Sequence, residues 1–229
     1  MRPVILYRAS GNSLKDDELE KEAIHSAGFE LISSRMEIKE NDLVICRYSA
    51  WPFYNELAED IKLAKAKLIN SISQHNYIAD LKNYVVDLAE LTPLTWDRIE
   101  DIPDNEGPFV LKGATNSRKN HWKTHMFAKD KKEAIEVQGR LLADGLISYQ
   151  DIYVRKYIPL RKYLDGFGGI PITKEFRFFI CNQEILSGGY YWSNYVEDLP
   201  EIPLVKDVPI DFLNNVIKRI GNNATFYVV

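Results

Sequence analysis

Apolar and polar residues alternate in short blocks along the first 70 residues, and these blocks predict strands and helices in turn. The predicted strands are residues 4–7, 43–46 and 67–69, and the predicted helices are residues 16–27 and the segment that opens at Pro52. This order predicts a small α/β layer with parallel strands, in which ligands gather at the carboxyl ends of the strands. Arg8 and Arg47 follow two of these ends, where they either bind a ligand or cap surface loops.

The middle of the chain predicts a strand, a polar loop, a returning strand and a helix. Residues 109–111 form an apolar run that leads into Lys112, residues 113–123 are polar, and the return starts at residues 126–127. Asp130 precedes a helical pattern, and we expect its carboxylate to accept backbone N–H groups at the start of that helix. The apolar face of the helix is predicted to consist of Ala134, Val137, Leu141 and Leu142.

The last third of the chain is rich in predicted strands. They are residues 152–158, 176–181, 185–191 and 225–229, with a tight turn at Asn182-Gln183 and a helix over residues 209–220. Residues 164–170 are glycine-rich and predict a flexible loop. The pattern as a whole predicts an α/β N-terminal layer followed by an α+β fold with a mainly antiparallel C-terminal sheet. Its domains are predicted to be residues 1–70, 71–150 and 151–229.

Composition narrows the class of protein. The chain has 229 residues with a net charge of -4, and no apolar run reaches the roughly 18 residues of a membrane helix. Its first residues have neither a secretory signal nor a basic presequence, so we expect a soluble cytoplasmic protein. The two cysteines, Cys46 and Cys181, lie far apart within strand patterns and are expected to be buried free thiols.

Basic residues are concentrated in two stretches that contain no acidic residue. The first stretch holds Lys112, Arg118, Lys119, Lys123 and Lys129, and the second holds Arg155, Lys156, Arg161 and Lys162. Such concentration in an acidic protein favours a discrete anion pocket over a broad nucleic-acid surface, although a solvated face has the same pattern. The chain has no phosphate-binding GxxxxGK[ST] loop and no GxSxG elbow, and His121 and His125 have no acid pair near them in sequence.

A paired acid and arginine occur within the strand pattern of residues 174–178. Alternation places Glu175 and Arg177 on one face, opposite Phe176 and Phe178. Two charged side chains pointing from a sheet indicate a wet or ligand-filled cleft, and the alternative is an ion pair on an exposed face.

Four segments in this order resemble the ATP-grasp superfamily and, within it, the R2K-type branch found in phage and bacterial genomes. The segments are residues 109–112, 151–160, 173–179 and 187–192. The resemblance implies two subdomains that hold ATP between them and an ATP-dependent carboxylate–amine ligase that acts through an acyl phosphate. The alternatives are a catalytically inactive nucleotide-binding scaffold or inhibitor, and a single-stranded nucleic-acid-binding module that uses Trp122 and His121.

The resemblance also implies site residues. The ATP-binding residues would be Lys82, Lys112, Ser117, Arg118, Lys119, Lys123, Arg155, Lys156, Tyr157 and Ile158, with the backbone of residues 155–158 reading adenine. Arg177 would neutralise the γ-phosphate and the acyl phosphate, and Glu175 would orient it or approach the ribose and metal. A small-molecule or peptide carboxylate substrate would lie near Arg8, Arg47, Arg161, Tyr191 and Trp192.

The magnesium ligands of the family fall after the strand that matches residues 226–229. We therefore expect Mg²⁺ as a cofactor beside ATP only if carboxylates beyond Val229 or on a partner supply its ligands. A shortened sequence, a second polypeptide and a non-catalytic relative would each account for the difference. The apolar strand at residues 226–229 would offer an edge for a homo-oligomer or a second polypeptide.

Overall fold

The structure is a computed structural model that describes residues 1–8, 14–50 and 52–229. The chain divides into two compact units, Met1–His75 and Asn76–Val229. The predicted division of the second part at residue 150 stays a prediction. Within the described ranges, no helix has the length and apolar character that crossing a membrane requires.

The first unit is a parallel sheet with helices. Its elements are β1 (Arg2–Tyr7), α1 (Leu14–Ser26), β2 (Glu30–Ile32), β3 (Asp42–Arg47), α2 (Tyr54–Leu63), β4 (Lys67–Leu68) and the start of α3 (Ile72–Ala79). The strand order is β2-β1-β3-β4, and every pair is parallel, as predicted. Val4, Leu6 and Val44 on the strands pack with Leu57 and Ile61 of α2, which forms the core of this unit.

The second unit contains the remaining elements and three sheets. Its elements are α4 (Leu81–Val85), β5 (Thr95–Trp96), β6 (Phe109–Gly113), β7 (Phe127–Ala128), α5 (Lys131–Leu142), β8 (Ile152–Lys156), β9 (Lys162–Asp165), β10 (Pro171–Thr173), β11 (Phe176–Cys181), β12 (Glu184–Tyr190), α6 (Ile210–Ile220) and β13 (Phe226–Val228). The sheet orders are β5-β8-β6-β7, β10-β9 and β12-β11-β13, all antiparallel. The predicted antiparallel character of this region is confirmed.

Alternation along β6 gives the central sheet one apolar and one polar face. Phe109 and Leu111 are fully buried against α5, whereas Lys112 points to the other face. Asp130 caps α5, because its Oδ1 accepts the N–H of Glu133 at 2.9 Å, as predicted. The predicted place of Leu142 on the apolar face of α5 is wrong, since this side chain is 57% exposed. It lies about 100° around the helix from Leu141, which puts it outside the buried stripe.

The C-terminal sheet packs one face on α6. Phe178, Ile180 and Tyr227 are buried against this helix, while Arg177 and Phe179 lie on the opposite, exposed face. The predicted turn at Asn182-Gln183 is confirmed, and both residues have positive φ angles, of 49° and 66°.

The glycine-rich segment predicted as a loop forms the turn of the β9–β10 hairpin, and its flexibility stays a prediction. Gly168 there has a φ of 68°, and a Cβ atom at this position would lie 2.2 Å from the carbonyl oxygen of Asn120. Glycine is therefore required where this hairpin meets the segment before β7.

Candidate functional site

A cavity of about 230 Å³ in the second unit brings together eight of the residues that the resemblance assigns to the nucleotide and substrate sites. These residues are Lys112, Lys119, Arg155, Lys156, Tyr157, Ile158, Glu175 and Trp192. The other lining residues are Pro93, Val110, Trp122, Leu160, Ile170, Pro171 and Thr173. The lining comes from β6, β8, β10 and the segments between strands, so sequence-distant parts of the unit converge on one space.

Strand register explains why two cations meet at one end of the cavity. Val110 of β6 lies opposite Arg155 of β8, and Lys112 lies opposite Tyr153. Lys112 and Arg155 are thus diagonal neighbours on the same face of the sheet. The Arg155 guanidinium is held by hydroxyl groups, since it donates to the Oγ1 atoms of Thr92 and Thr95.

Three of the four cations that line this cavity have no carboxylate partner in the described chain, whereas the fourth, Lys156, lies 3.4 Å from a carboxylate oxygen of Glu106. In residues 1–8, 14–50 and 52–229, no carboxylate oxygen lies within 4.0 Å of the charged nitrogens of Lys112, Lys119 or Arg155. Burial is the main cause that lowers the pKa of Lys112 to about 8, and the positive charges of Arg155 and Lys119 contribute to the same shift. Burial also lowers the pKa of Arg155. The cluster is therefore a site of uncompensated positive charge that an anion would stabilise.

The other end of the cavity is apolar and aromatic. Trp122, Phe127 and Tyr157 form a cluster in which the Trp122 and Tyr157 ring centroids are 6.3 Å apart and those of Phe127 and Tyr157 are 5.4 Å apart. Trp122 and Tyr157 line the cavity together with Ile158. Such a wall suits a flat heteroaromatic ring.

In the segment predicted to read adenine, most backbone N–H groups already donate to carbonyl groups within the chain. The N–H of Lys156 donates to the carbonyl of Leu94 at 2.8 Å, and the N–H of Tyr157 donates to the carbonyl of Pro108 at 2.9 Å. Within the part of the chain that the structure describes, the N–H of Ile158 has no backbone partner. Of these three donors, Ile158 is the one left for a ligand.

Glu175 and Arg177 do not form an ion pair with each other in the described chain. The Oε1 atom of Glu175 accepts from the Thr173 hydroxyl and, at 3.2 Å, from the Trp192 indole N–H. The Arg177 guanidinium lies 4.3 Å from the centre of the Tyr191 ring and does not line the cavity. Lys119, which does line it, lies over the same ring, so Arg177 stands one side chain away from the cavity.

Three residues of the segment before β7 lie outside the cavity. Arg118 forms a two-pronged ion pair with Asp144, at 2.7 and 2.6 Å, and this hydrogen bonding is the main reason that the pKa of Asp144 falls to about 2. The stem of Lys123 packs against Gly169. Ser117 is not among the cavity residues. The structure thus brings Lys119 alone of this segment's predicted phosphate ligands to the cationic end.

Lys82 lies in a different pocket, of about 460 Å³, lined also by Val85, Val86, Thr95, Asp97, Asp151 and Tyr153. Its Nζ atom is 3.6 Å from a carboxylate oxygen of Asp80 and 3.8 Å from one of Asp151. The structure therefore does not place Lys82 with Lys112.

The predicted substrate arginines each have a partner. Arg161 pairs with Glu201 at 3.0 Å and stacks over the ring of Tyr163. In the first unit, Arg47 pairs with Glu20, and Arg8 lies 4.5 Å from the centre of the Tyr48 ring.

Sequence reasoning missed the hydroxyl groups that hold the charged residues. Thr92 and Thr95 lie on either side of Pro93, outside every strand and helix predicted above, and Thr173 lies beside the more conspicuous charged pair. The signal that could have found Thr95 is its register opposite Arg155, which requires knowing that β5 pairs with β8.

Solved structures share this architecture at low sequence identity. A RimK-domain ATP-grasp protein from Sphaerobacter thermophilus is 17% identical with a TM-score of 0.63, over 100% of this chain and 85% of that one. The D-alanine–D-alanine ligase of Bacillus anthracis complexed with ATP is 12% identical with a TM-score of 0.57, over 99% and 77%. A D-cycloserine synthetase is 13% identical with a TM-score of 0.54, over 99% and 89%. Neither a protein-family model nor a curated protein sequence matches the chain. The chain has the ATP-grasp fold.

Proposed function

We propose that this protein binds ATP in the cavity of its second unit and uses it to join a carboxylate to an amine. The observation that carries the proposal is the cluster of Lys112, Arg155 and Lys119, three cations without carboxylate partners beside an aromatic wall. A nucleoside triphosphate matches both ends, because it combines a polyanion with a flat base. Each charge-assisted hydrogen bond sheltered from water contributes about 1.5–3 kcal/mol.

The residues divide the task of holding ATP. Lys112, Lys119 and Arg155 would bind the phosphates, and the base would lie against Trp122 and Tyr157 with the N–H of Ile158 as its backbone donor. Positioning and charge stabilisation dominate phosphoryl transfer, since little covalent work falls to the protein.

The proposed reaction proceeds in two transfers. A carboxylate oxygen of the substrate attacks the γ-phosphorus, and the bond from that phosphorus to the β,γ-bridging oxygen breaks, which gives ADP and an acyl phosphate. The amine then attacks the acyl carbon, loses a proton, and displaces inorganic phosphate. Arg177, held beside Lys119 through Tyr191, is proposed to stabilise the negative charge of the acyl phosphate. We further propose that the chain belongs to the R2K-type branch, on the four segments quoted above.

Magnesium has no complete set of ligands among the described residues. No group of three His, Cys, Asp or Glu side chains there could hold a metal ion, and Glu175 is the one carboxylate among the cavity residues. Its Oε1 atom already accepts two hydrogen bonds. The described residues therefore do not fit a magnesium ion by themselves.

Calorimetric titration with ATP and ADP tests the binding proposal. We expect both nucleotides to bind, and Lys112→Met to weaken binding about tenfold or more, given the 1.5–3 kcal/mol of a charge-assisted contact. Lys132→Met is the matched control, because Lys132 is exposed on α5 and away from the cavity. Failure of wild-type protein to bind either nucleotide at millimolar concentration would refute the proposal.

Turnover and competition separate the remaining alternatives. Release of ADP and phosphate that requires both a carboxylate and an amine would support the ligase, whereas ATP binding without release would favour the inactive scaffold. A short single-stranded oligonucleotide that binds more tightly than ATP would favour the nucleic-acid module. The structure gives little support to the nucleic-acid module, because the Trp122 ring that would stack on bases packs with Phe127 and Tyr157 around the cavity.

A further inference from the structure

Tyr191 lies between two cations that sequence analysis assigned to phosphate chemistry. The Nζ atom of Lys119 is 4.5 Å from the centre of the Tyr191 ring and also donates to its hydroxyl oxygen. The guanidinium of Arg177 is 4.3 Å from the centre of the same ring. Tyr191 follows β12 directly, and its backbone N–H donates to the carbonyl of Glu175 at 2.9 Å, which fixes its position.

Trp192 supplies a second ring for the same lysine. The Lys119 Nζ atom is 5.3 Å from the Trp192 ring centre, and the rings of Tyr191 and Trp192 meet nearly at right angles, with centroids 4.7 Å apart. The Trp192 indole N–H donates to Glu175, so this ring is itself oriented. Lys119 is thus enclosed by two aromatic side chains from a part of the unit more than 70 residues away.

An aromatic partner differs from a carboxylate in one respect that matters for an anion site. The negative face of a ring attracts a cation through its quadrupole, but it carries no net charge and leaves the charge of the cation in place. A carboxylate at the same position would hold Lys119 equally well and neutralise it. In this arrangement the ammonium group keeps its charge and those N–H donors that Tyr191 does not use.

The segment that carries Lys119 is also held from the other side. The backbone at Gly168 lies against the carbonyl of Asn120, and Gly169 lies against the stem of Lys123. Residues 119–123 therefore lie between the β9–β10 hairpin and the aromatic pair, in contact with both.

We propose that Tyr191, assisted by Trp192, is a positioning residue that holds Lys119 in the cavity as an un-neutralised cation for the phosphates of the nucleotide. This proposal rests on the proposed function for the identity of the anion. It replaces the substrate role that the sequence suggested for these two aromatic residues with a role toward the phosphate end of ATP.

Substitutions at position 191 separate the ring from the hydroxyl. Tyr191→Leu removes both, and we expect it to weaken ATP binding about two- to thirtyfold, the range that the strength of cation–π contacts gives. Tyr191→Phe keeps the ring and should lose less affinity than Tyr191→Leu. Tyr149→Leu is the control, since Tyr149 is 53% exposed and lies outside the cavity.

A double-mutant cycle shows whether Tyr191 acts through Lys119. In a Lys119→Met background, Tyr191→Leu should cost clearly less ATP affinity than it does in wild-type protein. An equal cost in both backgrounds would mean that Tyr191 acts on binding in another way, and would overturn the proposal.

A measurement without nucleotide keeps this proposal distinct from the proposed function. Limited trypsin digestion, read by mass spectrometry, reports cleavage after Lys119 and Lys123, and we expect Tyr191→Leu to accelerate it over wild type and over Tyr149→Leu. If wild-type protein fails to bind ATP, the proposed function falls, but faster cleavage would still show that Tyr191 holds Lys119. If wild-type protein binds ATP while Tyr191→Leu neither loses affinity nor gains cleavage, the positioning role is refuted and the proposed function stands.

Discussion

Lys112 should make the ligand-free protein less stable than it would be with a neutral side chain at this position. Burial and the charges of Arg155 and Lys119 lower its pKa from 10.5 to about 8. Each unit of pKa corresponds to about 1.4 kcal/mol, so the difference is worth about 3 kcal/mol of unfolding free energy. We therefore expect Lys112→Met, which keeps the length of the side chain without its charge, to raise the unfolding free energy by up to about 3 kcal/mol at pH 7.

The sign follows from proton binding in the two states. Unfolded Lys112 keeps its proton up to about pH 10.5, whereas the folded state releases it near pH 8, so wild-type stability rises with pH between these values. Below pH 8 the penalty is complete. The stability gap between Lys112→Met and wild type should therefore be largest below pH 8 and shrink toward pH 9.5.

Urea denaturation from pH 6 to 9.5 measures this gap, with Lys132→Met as the control. The range stops there because the buried hydroxyl of Tyr153 has a pKa raised to about 12, and its titration lowers stability at higher pH. With ATP at 100 times the wild-type Kd the gap should narrow, since wild type gains about 2.7 kcal/mol of ligand stabilisation and a variant with tenfold weaker binding gains only about 1.4 kcal/mol. A Lys112→Met variant that is less stable than wild type at pH 7 without nucleotide would refute the reasoning.

Three further outcomes follow from the structure. ATP affinity should fall as pH rises above about 8, because Lys112 then loses the charge that the phosphates require; Lys112→Met should remove this dependence in calorimetry. Burial lowers the pKa of His75, which stacks on Tyr54, so the stability that neutral His75 contributes is lost as pH falls through its folded-state pKa. His75→Phe should therefore make the thermal stability depend less on pH below pH 6.5. A variant with the same pH profile as wild type would contradict this role of His75. Gly168→Ala should destabilise the protein more than Gly221→Ala. Both positions have a positive φ, but only at Gly168 would the new Cβ atom collide with the backbone of Asn120. Equal shifts in melting temperature would count against the contact between Gly168 and Asn120.

The sequence predicts the cationic end of the cavity well because that end depends on local alternation. Lys112 and Arg155 each stand one residue from a buried apolar neighbour in a strand, and alternation alone turns them to the polar face. Their meeting also requires that β6 and β8 pair, and alternation does not predict which strands pair. The order of strands and helices is predicted by the same periodicities, whereas the ATP-grasp fold is predicted by the resemblance of four segments.

The partners of exposed charges were not predictable in this way. Arg118 and Lys119 are adjacent in sequence, yet Arg118 pairs with Asp144 at the end of α5 while Lys119 reaches Tyr191. The partner of each long side chain depends on how the segment between β6 and β7 packs. The periodicity of apolar residues carries no information about this packing. Lys82 and Arg161 lie outside the cavity for the same reason. Lys82 lies near the carboxylate of Asp151, and Arg161 pairs with Glu201.

The rings and hydroxyls around Lys119 and Arg155 have a consequence for how a ligand arrives. A protein with a net charge of -4 repels nucleotides at long range, yet this cavity attracts them once they come within about a Debye length, roughly 10 Å at 0.1 M salt. Moderate ionic strength should thus screen the distant repulsion more than the nearby attraction, because sheltered charges are screened least. Nucleotide capture by this chain would then tolerate salt far better than binding at an open basic surface.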